Sequence, residues 1–543
     1  MVAPIDPNSK ADFQARVKKL LMNPAAVEKI EVYHPKGATG REELFTTLQN
    51  TPQTQGSLQI WANITDNNGF IFPAAAREGL SVYGQEYIDE AHKFRDKHPN
   101  ILLLECIAEG GRPFRANIGR RYAAKPIPEH VRAMMPIIAR ELETPIHVYD
   151  EQGIRQTCRD LKNAFSWVPG GYKNFFAVKA CPNPRILELL IEEGMGADCS
   201  SGSELVLARA AGFGPGEIMF TSNNTPDHEF QMAHTLDAIQ NYDDITHIAA
   251  FKRAVGKLPE SVFLRYGPGE ECQGNSIIGV TDERKYGMTR EQLFEAVDIL
   301  LKEGVKSYSL HTMMASNERD VDKLIDQARL MLGLSRDLKH RFGKGPDSLN
   351  LGGGIGTAYR PEQRNVNLSE LGEGIKNAYF EMLPEDLRPR IFTECGRVVT
   401  GPHGWLLTQV LHVMKKHRDY IGVDATMADL MRPGMYGAYH HLTVLGKETA
   451  PSAGFFDVVG SLCENCDKFA IQRAMPLVER GDLIAVHNSG AHGRAMCFNY
   501  NGKLRSGEAL VNPGVYERIR RRESFGDIFA TFDFPGSRFE GIN

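Results

Sequence analysis

No uninterrupted apolar run in the 543-residue chain approaches the roughly 20 residues that a bilayer span needs. Stretches such as Ile101–Leu104 and Ile248–Phe251 are all it has, so no membrane helix is expected. Positive charge is not in excess either. Lys+Arg of 63 against Asp+Glu of 68 leaves a net −5, which argues against nucleic acid or an anionic membrane surface as the main partner. Residues 1–19 carry charges at Asp6, Lys10, Asp12, Arg16, Lys18 and Lys19 without an apolar core, so no secretory signal is read there. Dense cysteine spacing is also missing. The nine cysteines (Cys106, Cys158, Cys181, Cys199, Cys272, Cys395, Cys463, Cys466, Cys497) are odd in number and scattered, which suits a reducing cytoplasm rather than a disulfide framework. What remains is an ordinary globular composition, 42% hydrophobic and 24% charged, with length for two to four domains and a small molecule as the default ligand.

From Tyr172 to Gly396 one rhythm recurs, a short apolar run followed by an amphipathic stretch. The strand candidates are Asn174–Lys179, Ala197–Ser201, Ile218–Ser222, Ala238–Tyr242, Ser261–Tyr266, Ser307–Thr312, Ser348–Leu351 and Arg390–Glu394. Helical patterns lie between them at Pro184–Glu193, Glu204–Ala211, Glu291–Lys302, Val321–Leu332 and Leu368–Met382. Eight parallel strands with crossover helices point to a (β/α)8 TIM barrel within an α/β chain, spanning residues 141–396. Beyond it, residues 397–543 turn to β-rich runs (Trp405–Met414, Tyr420–Asp424, His441–Val444, Asp457–Gly460, Leu483–Val486) split by Gly, Pro and Asn turns, the texture of a second, mostly β domain. Residues 1–140 fit neither pattern and carry no chemical motif, so no role is read for this extension.

In such a barrel, chemistry collects at the C-terminal ends of the strands. The first candidate strand closes on Lys179 after a run apolar enough to bury it, where desolvation would lower the amine's pKa and make it a nucleophile toward aldehydes. A surface lysine snorkelling past a strand end explains that segment better when it is taken alone. The second strand closes on Asp198, the fifth on Arg265, the sixth on His311 and the eighth on Glu394-Cys395-Gly396-Arg397. The seventh runs into Gly352-Gly353-Gly354-Ile355-Gly356. Thr357 stands where a dinucleotide fingerprint needs its third glycine, so these glycines suit a phosphate held by backbone N–H groups, or a flexible turn. A lysine, a phosphate cradle and a carboxylate round one barrel mouth suggest pyridoxal 5'-phosphate, with Lys179 as its Schiff-base partner, Gly353 and Gly354 on the phosphate and Glu394 on the pyridine nitrogen.

The segments FFAVKA (175–180), DCSSGSEL (198–205), NLGGGIG (350–356), ECGR (394–397), GVDATMADLMRPGMYGAYH (422–440), VVGSLCENCD (458–467) and NYNG (499–502), in this order, resemble the diaminopimelate decarboxylase family of fold-type III pyridoxal-phosphate enzymes. Ornithine decarboxylase and alanine racemase are more distant kin. The resemblance implies Lys179 as the cofactor lysine, and Gly353, Gly354, Gly396 and Arg397 round the phosphate with Ser316 and Tyr500. Asp198 and Arg265 would lie near the ring; since residues i and i+2 of a strand point the same way, His311 either faces the pocket as well and touches the cofactor or packs as a core histidine. It further implies that Arg432 and Tyr436, assisted by Arg397, hold a substrate carboxylate. Cys463 and Glu464 would enter the site from a second subunit, making a homodimer with shared active sites, and Tyr500 would also touch the substrate. A zinc or redox reading of Cys463-Glu464-Asn465-Cys466 ranks lower, since no second pair lies at ligand spacing, and no metal is assigned.

Two considerations select within that family. A carboxylate about 4 Å from a pyridinium contributes about 4 kcal/mol toward the protonated ring at an effective dielectric near 20, which favours loss of CO2. Polyamine-forming relatives have aspartate in place of Glu464 and lack the Arg432–Tyr436 pair, so the intact set favours meso-2,6-diaminopimelate, giving L-lysine. Departures run the other way. Met313 stands where the family's ring-stacking histidine is usual, His492 where an aromatic is typical, and Cys181 where asparagine commonly follows the lysine strand. These changes leave room for a different diamino or carboxylated amino acid as substrate, or for a homologue that binds the cofactor without turnover.

Overall fold

Eight short parallel strands close on themselves in the computed structural model: β1 (Tyr172–Ala177), β2 (Gly196–Cys199), β3 (Ile218–Ser222), β4 (Ile239–Tyr242), β5 (Ser261–Tyr266), β6 (Ser307–Thr312), β7 (Ser348–Asn350) and β8 (Arg390–Thr393). The ring is sealed where β8 pairs with β1, Ile391 opposite Tyr172 and Thr393 opposite Asn174. The structure describes residues 29–33, 44–49, 54–65, 70–83, 85–93, 98–110, 114–119, 125–269 and 285–533. All eight strands expected from the sequence are present, so the predicted barrel is the observed one. Each strand supplies one face to the interior and the other to the helical shell, as a period of two requires. Phe175, Met219, Phe263 and Phe392 form a cluster of their own, with Phe392 edge-on to Phe175 at 5.1 Å and stacked on Phe263 at 5.8 Å. Gly196 is needed opposite Phe175, because a Cβ there would come within 2.4 Å of the ring.

Helices begin where a short polar side chain can take an unpaired N–H. Asn183 accepts from Arg185 N at 3.0 Å ahead of Pro184–Glu192. Asn367 accepts from Ser369 N at 3.1 Å ahead of Leu368–Met382. The loop before Pro184–Glu192 is short, whereas the one before Leu368–Met382 is long and carries the glycine run at the barrel mouth.

The second sheet has nine strands, in the order Lys468–Met475, Gly454–Val459, Asp419–Val423, Gly404–Lys415, Ile146–Asp150, Gly507–Asn512, Val515–Arg520, with Leu483–Val486 joining Gly404–Lys415 to Leu442–Val444. Ile146–Asp150 falls inside the stretch 141–396 expected to belong to the barrel, yet its ladder partners are Gly404–Leu407 and Gly507–Val511. The reason is burial on both faces: all five residues are buried, which no exposed lead-in to a barrel would permit. Glu508 of this sheet then grips the barrel, accepting from Asn183 Nδ2 at 2.8 Å while Tyr149 Oη of the neighbouring strand donates to its other oxygen at 2.7 Å.

Near the start of the chain, Leu44–Gln49, Lys29–Tyr33, Phe114–Gly119 and Phe70–Ile71 make a four-stranded antiparallel sheet. Ile30, Val32, Trp61, Tyr83 and Leu104 belong to a core that shares no residue with the others. The sequence pattern misses this unit because one strand has two residues and the apolar residues of Pro99–Gly110 are bunched rather than spaced. Among the described residues no helix is long and apolar enough to cross a membrane.

Candidate active site

Asn350 ends β7 and uses both ends of its amide: Oδ1 accepts from Gly352 N at 2.9 Å, and Nδ2 donates to Glu394 Oε1 at 2.7 Å. The other oxygen of Glu394 lies 3.2 Å from His311 Nε2, and the far ring nitrogen of His311 meets Asn241 Nδ2 at 2.8 Å. Glu394 is 7% exposed and His311 1%. Burial by itself would raise the carboxyl's pKa, but His311, then Lys179 and Arg265, hold Glu394 below the usual carboxylate range. Asp198 at the end of β2 has the opposite fate. Burial and then the negative charge of Glu394 push it well above the usual range, and its Oδ1 is buried without a hydrogen bond. Two acids whose pKa values are shifted in opposite directions therefore share the mouth.

Lys179 sits in the short helical turn Val178–Ala180 just past β1. The sequence pattern extends the strand to Lys179 and leaves both a buried and a surface lysine open; the structure ends the strand at Ala177 and leaves Lys179 exposed while Val178 and Ala180 are buried. Its charge nonetheless acts on Asp198, Glu394 and His492. His492 is held beside it through its own N–H to Ala180 O at 2.9 Å. Arg265, on β5, donates to Asp243 Oδ1 at 2.8 Å and lies over the Tyr286 ring at 4.8 Å.

The glycine run is forced by crowding. A Cβ on Gly353 would come within 2.8 Å of Glu394 O, and one on Gly354 within 2.5 Å of Ala315 O, where φ is also +96°. Gly396 packs so closely that its Cβ would meet that of Ala180 at 2.8 Å. The ends of β6, β7 and β8 thus converge as bare backbone. The loop after β6, which carries half-buried Ser316, is pinned across the glycines by Glu318 N to Gly354 O at 2.9 Å and Gly356 N to Glu318 O at 2.7 Å. Met313 is half-buried at the same edge, its sulfur 3.4 Å from Gly353 N.

Behind the mouth, Arg397 Nη1 donates to the Tyr359 hydroxyl at 2.7 Å, and the Arg432 guanidinium lies 5.4 Å from the centre of the same ring. Arg432 is 5% exposed and its Nε is buried without a partner. Tyr436, one turn along the helix Arg432–Tyr436, is exposed. Cys463, Glu464 and Tyr500 form a separate exposed group: Tyr500 Oη donates to Glu464 Oε1 at 2.9 Å, and Cys463 N to Asn501 Oδ1 at 2.8 Å. The structure therefore brings Lys179, Asp198, Arg265, His311, Gly353, Gly354, Glu394, Gly396 and Arg397 to one end of the barrel, with Arg432 behind them, and keeps Cys463, Glu464 and Tyr500 in a second cluster on the C-terminal domain.

Comparison with known proteins identifies what such a mouth serves. Residues 151–401 match the family described as pyridoxal-dependent decarboxylase, pyridoxal binding domain. Protein TabA of Pseudomonas amygdali is 39% identical over 385 residues, covering 71% of this chain and 90% of that protein. Diaminopimelate decarboxylase of Archaeoglobus fulgidus is 32% identical, covering 73% and 95%. The chain belongs to the pyridoxal-dependent decarboxylases. It is an amino-acid decarboxylase of that family, and pyridoxal 5'-phosphate is its cofactor. The crystal structure of Helicobacter pylori diaminopimelate decarboxylase with L-lysine matches at a TM-score of 0.67 and 28% identity, covering 73% of this chain and 98% of that one. Residues 13–118 separately match a family described as an uncharacterized protein conserved in bacteria.

The residues present suit this decarboxylase's cofactor. The glycine cradle admits no side chain, Asp198 Oδ1 is buried without a hydrogen-bond partner, and His311, Lys179 and Arg265 hold buried Glu394 below the usual carboxylate range. The sequence pattern does not single out Asn241, Asn350 or Tyr359. Asn350 stands in the NLGGGIG segment at a strand end and is legible there; Asn241 and Tyr359 acquire meaning only through tertiary contacts.

Proposed function

We propose that this chain decarboxylates meso-2,6-diaminopimelate to L-lysine and CO2 as a homodimer with shared sites. The observation that carries the reading is the pair of guanidiniums behind the mouth. Among the described residues neither Arg397 nor Arg432 forms an ion pair with a carboxylate, yet Arg432 is buried. Two cations without a carboxylate partner in one place, Arg432 buried and Arg397 half-buried, call for an anionic ligand, and a substrate with a second carboxylate supplies it.

When bound, pyridoxal phosphate supplies an electron sink for the pair left behind as CO2 departs. Lys179 is the amine that holds the cofactor's aldehyde. Glu394, kept ionised by His311 and Asn350, holds a proton at the ring nitrogen. The glycine backbone with Ser316 and Gly396 receives the phosphate. Arg397 and Arg432, with Tyr436, fix the distal carboxylate and leave the reacting one free of cationic partners, so that it departs as neutral CO2. Cys463 of a second subunit delivers the proton to the carbon, while Glu464 and Tyr500 meet the distal amine. Their exposed clustering on the C-terminal domain suits residues that work on a neighbour.

Met313 favours a second reading. A thioether beside Gly353 packs on a ring but cannot titrate as histidine does, which suits a different diamino or carboxylated amino acid as substrate. CO2 release from meso-diaminopimelate, L-lysine and L-ornithine separates the two: turnover of the first alone is expected, and its failure overturns the assignment. The purified protein should absorb at about 420 nm and Lys179→Ala should lose the band; an equal band in both would remove Lys179 from its role.

A further inference from the structure

Tyr359 stands between the two guanidiniums that await a carboxylate, and it is held unusually firmly. Its N–H donates to Gln363 Oε1 at 3.1 Å. The preceding Ala358 is fixed by three side chains: its carbonyl accepts from Lys125 Nζ at 2.9 Å and Asn488 Nδ2 at 3.2 Å, and its N–H donates to Asn365 Oδ1 at 2.7 Å. The side chain is 7% exposed. Its hydroxyl takes one N–H of Arg397 at 2.7 Å, its face lies 5.4 Å from Arg432, and the edge contact with His440 at 5.1 Å closes the remaining side. Burial alone would raise the phenol's pKa, yet Arg397 and Arg432 bring it below the ordinary value.

We infer that Tyr359 is a positioning residue for substrate recognition: it binds one edge of Arg397 through its hydroxyl and supports Arg432 with its ring, so that both guanidiniums present their free N–H groups to one carboxylate. This inference rests on the assignment of Arg397 and Arg432 to a substrate carboxylate, but not on which amino acid bears it. A planar guanidinium recognises a carboxylate through a fork of fixed geometry. A fork left to rotate loses that match, so the cost falls on binding of the carboxylate rather than on the chemistry at the other end of the substrate.

The test uses the full-length holoenzyme and two ligands that differ by a carboxylate, L-lysine and cadaverine, with affinities measured by calorimetry in wild type and in Tyr359→Phe. The substitution keeps the ring and its contact with Arg432 and removes only the acceptor for Arg397. L-lysine should bind about 10-fold more weakly or worse while cadaverine is unchanged, and KM for a carboxylate-bearing substrate should rise while kcat holds. Equal weakening of both ligands, or unchanged lysine binding, overturns the role of Tyr359. Wild type that binds lysine no better than cadaverine overturns the carboxylate clamp itself and this inference with it. Failure to turn over meso-diaminopimelate together with a lysine-selective loss in Tyr359→Phe refutes the proposed substrate and supports the role of Tyr359.

Discussion

Glu394 and Glu464 are both carboxylates assigned to one site, yet their surroundings have little in common. Glu394 is 7% exposed, takes a hydrogen bond from Asn350 at 2.7 Å and lies 3.2 Å from His311. Glu464 stands exposed on a loop of the C-terminal domain with the Tyr500 hydroxyl at 2.9 Å. Buried charge is costly unless its partners are fixed in advance, so the barrel wall is organised within one chain. An exposed loop carries no such demand and obtains its environment from whatever docks on it. In the proposed shared site the wall sets the ionisation, and the loop of a second subunit brings in groups that the wall cannot.

The largest effect should come from breaking the wall. Glu394→Gln keeps the shape and the bond from Asn350 but removes the charge, and kcat should fall about 10²–10³-fold, in line with the loss of one well-placed electrostatic partner. The same substitution at Glu464 should act mainly on KM. A Glu394→Gln enzyme within a few-fold of wild type in kcat would show that the buried carboxylate is structural.

Shared sites sharpen the comparison further. Lys179→Ala and Cys463→Ala should each be nearly inactive alone. Mixed and reassembled, half of the dimers carry one of each chain, and each of these has one site with both residues intact, so about a quarter of the activity should return. No recovery on mixing would place both residues in the same chain's site or exclude exchange of subunits, and gel filtration of differently tagged chains distinguishes these outcomes.

The barrel is legible because its strands are short and closed by polar caps, a rhythm that survives in sequence. Where the rhythm is interrupted the pattern misleads. Val321–Leu332 reads as a helix that stops at Gly333, but it runs to Phe342, since Leu334, Ser335 and Leu338 stay buried and Ser335 Oγ donates to Met331 O at 2.8 Å. Tertiary packing overrides one glycine. The residues of the site are legible where a strand end names them, as with Glu394 and Asp198. They are not legible where function depends on what lies opposite: Tyr359 between two arginines, Asn241 behind His311, and the outward turn of Lys179.

The last prediction concerns the pair of acids within the wall and has the smallest expected effect. Burial and Glu394 raise the pKa of Asp198 in the folded protein, so the folded state keeps a proton that the unfolded chain releases above about 4. Its contribution to stability is therefore fully present below that value and is lost as pH rises through the folded-state pKa. Asp198→Asn, which cannot lose a proton, escapes that loss. In cofactor-free protein it should melt about 2 °C or more above wild type at pH 8, with the advantage shrinking toward pH 4. Glu394 has the reverse sign, because its folded pKa lies below the ordinary value: it stabilises above that value and loses its contribution as pH falls, so Glu394→Gln should lower the melting temperature at pH 8. If both substitutions moved the melting temperature in the same direction at pH 8, the opposite shifts of the two acids would be wrong.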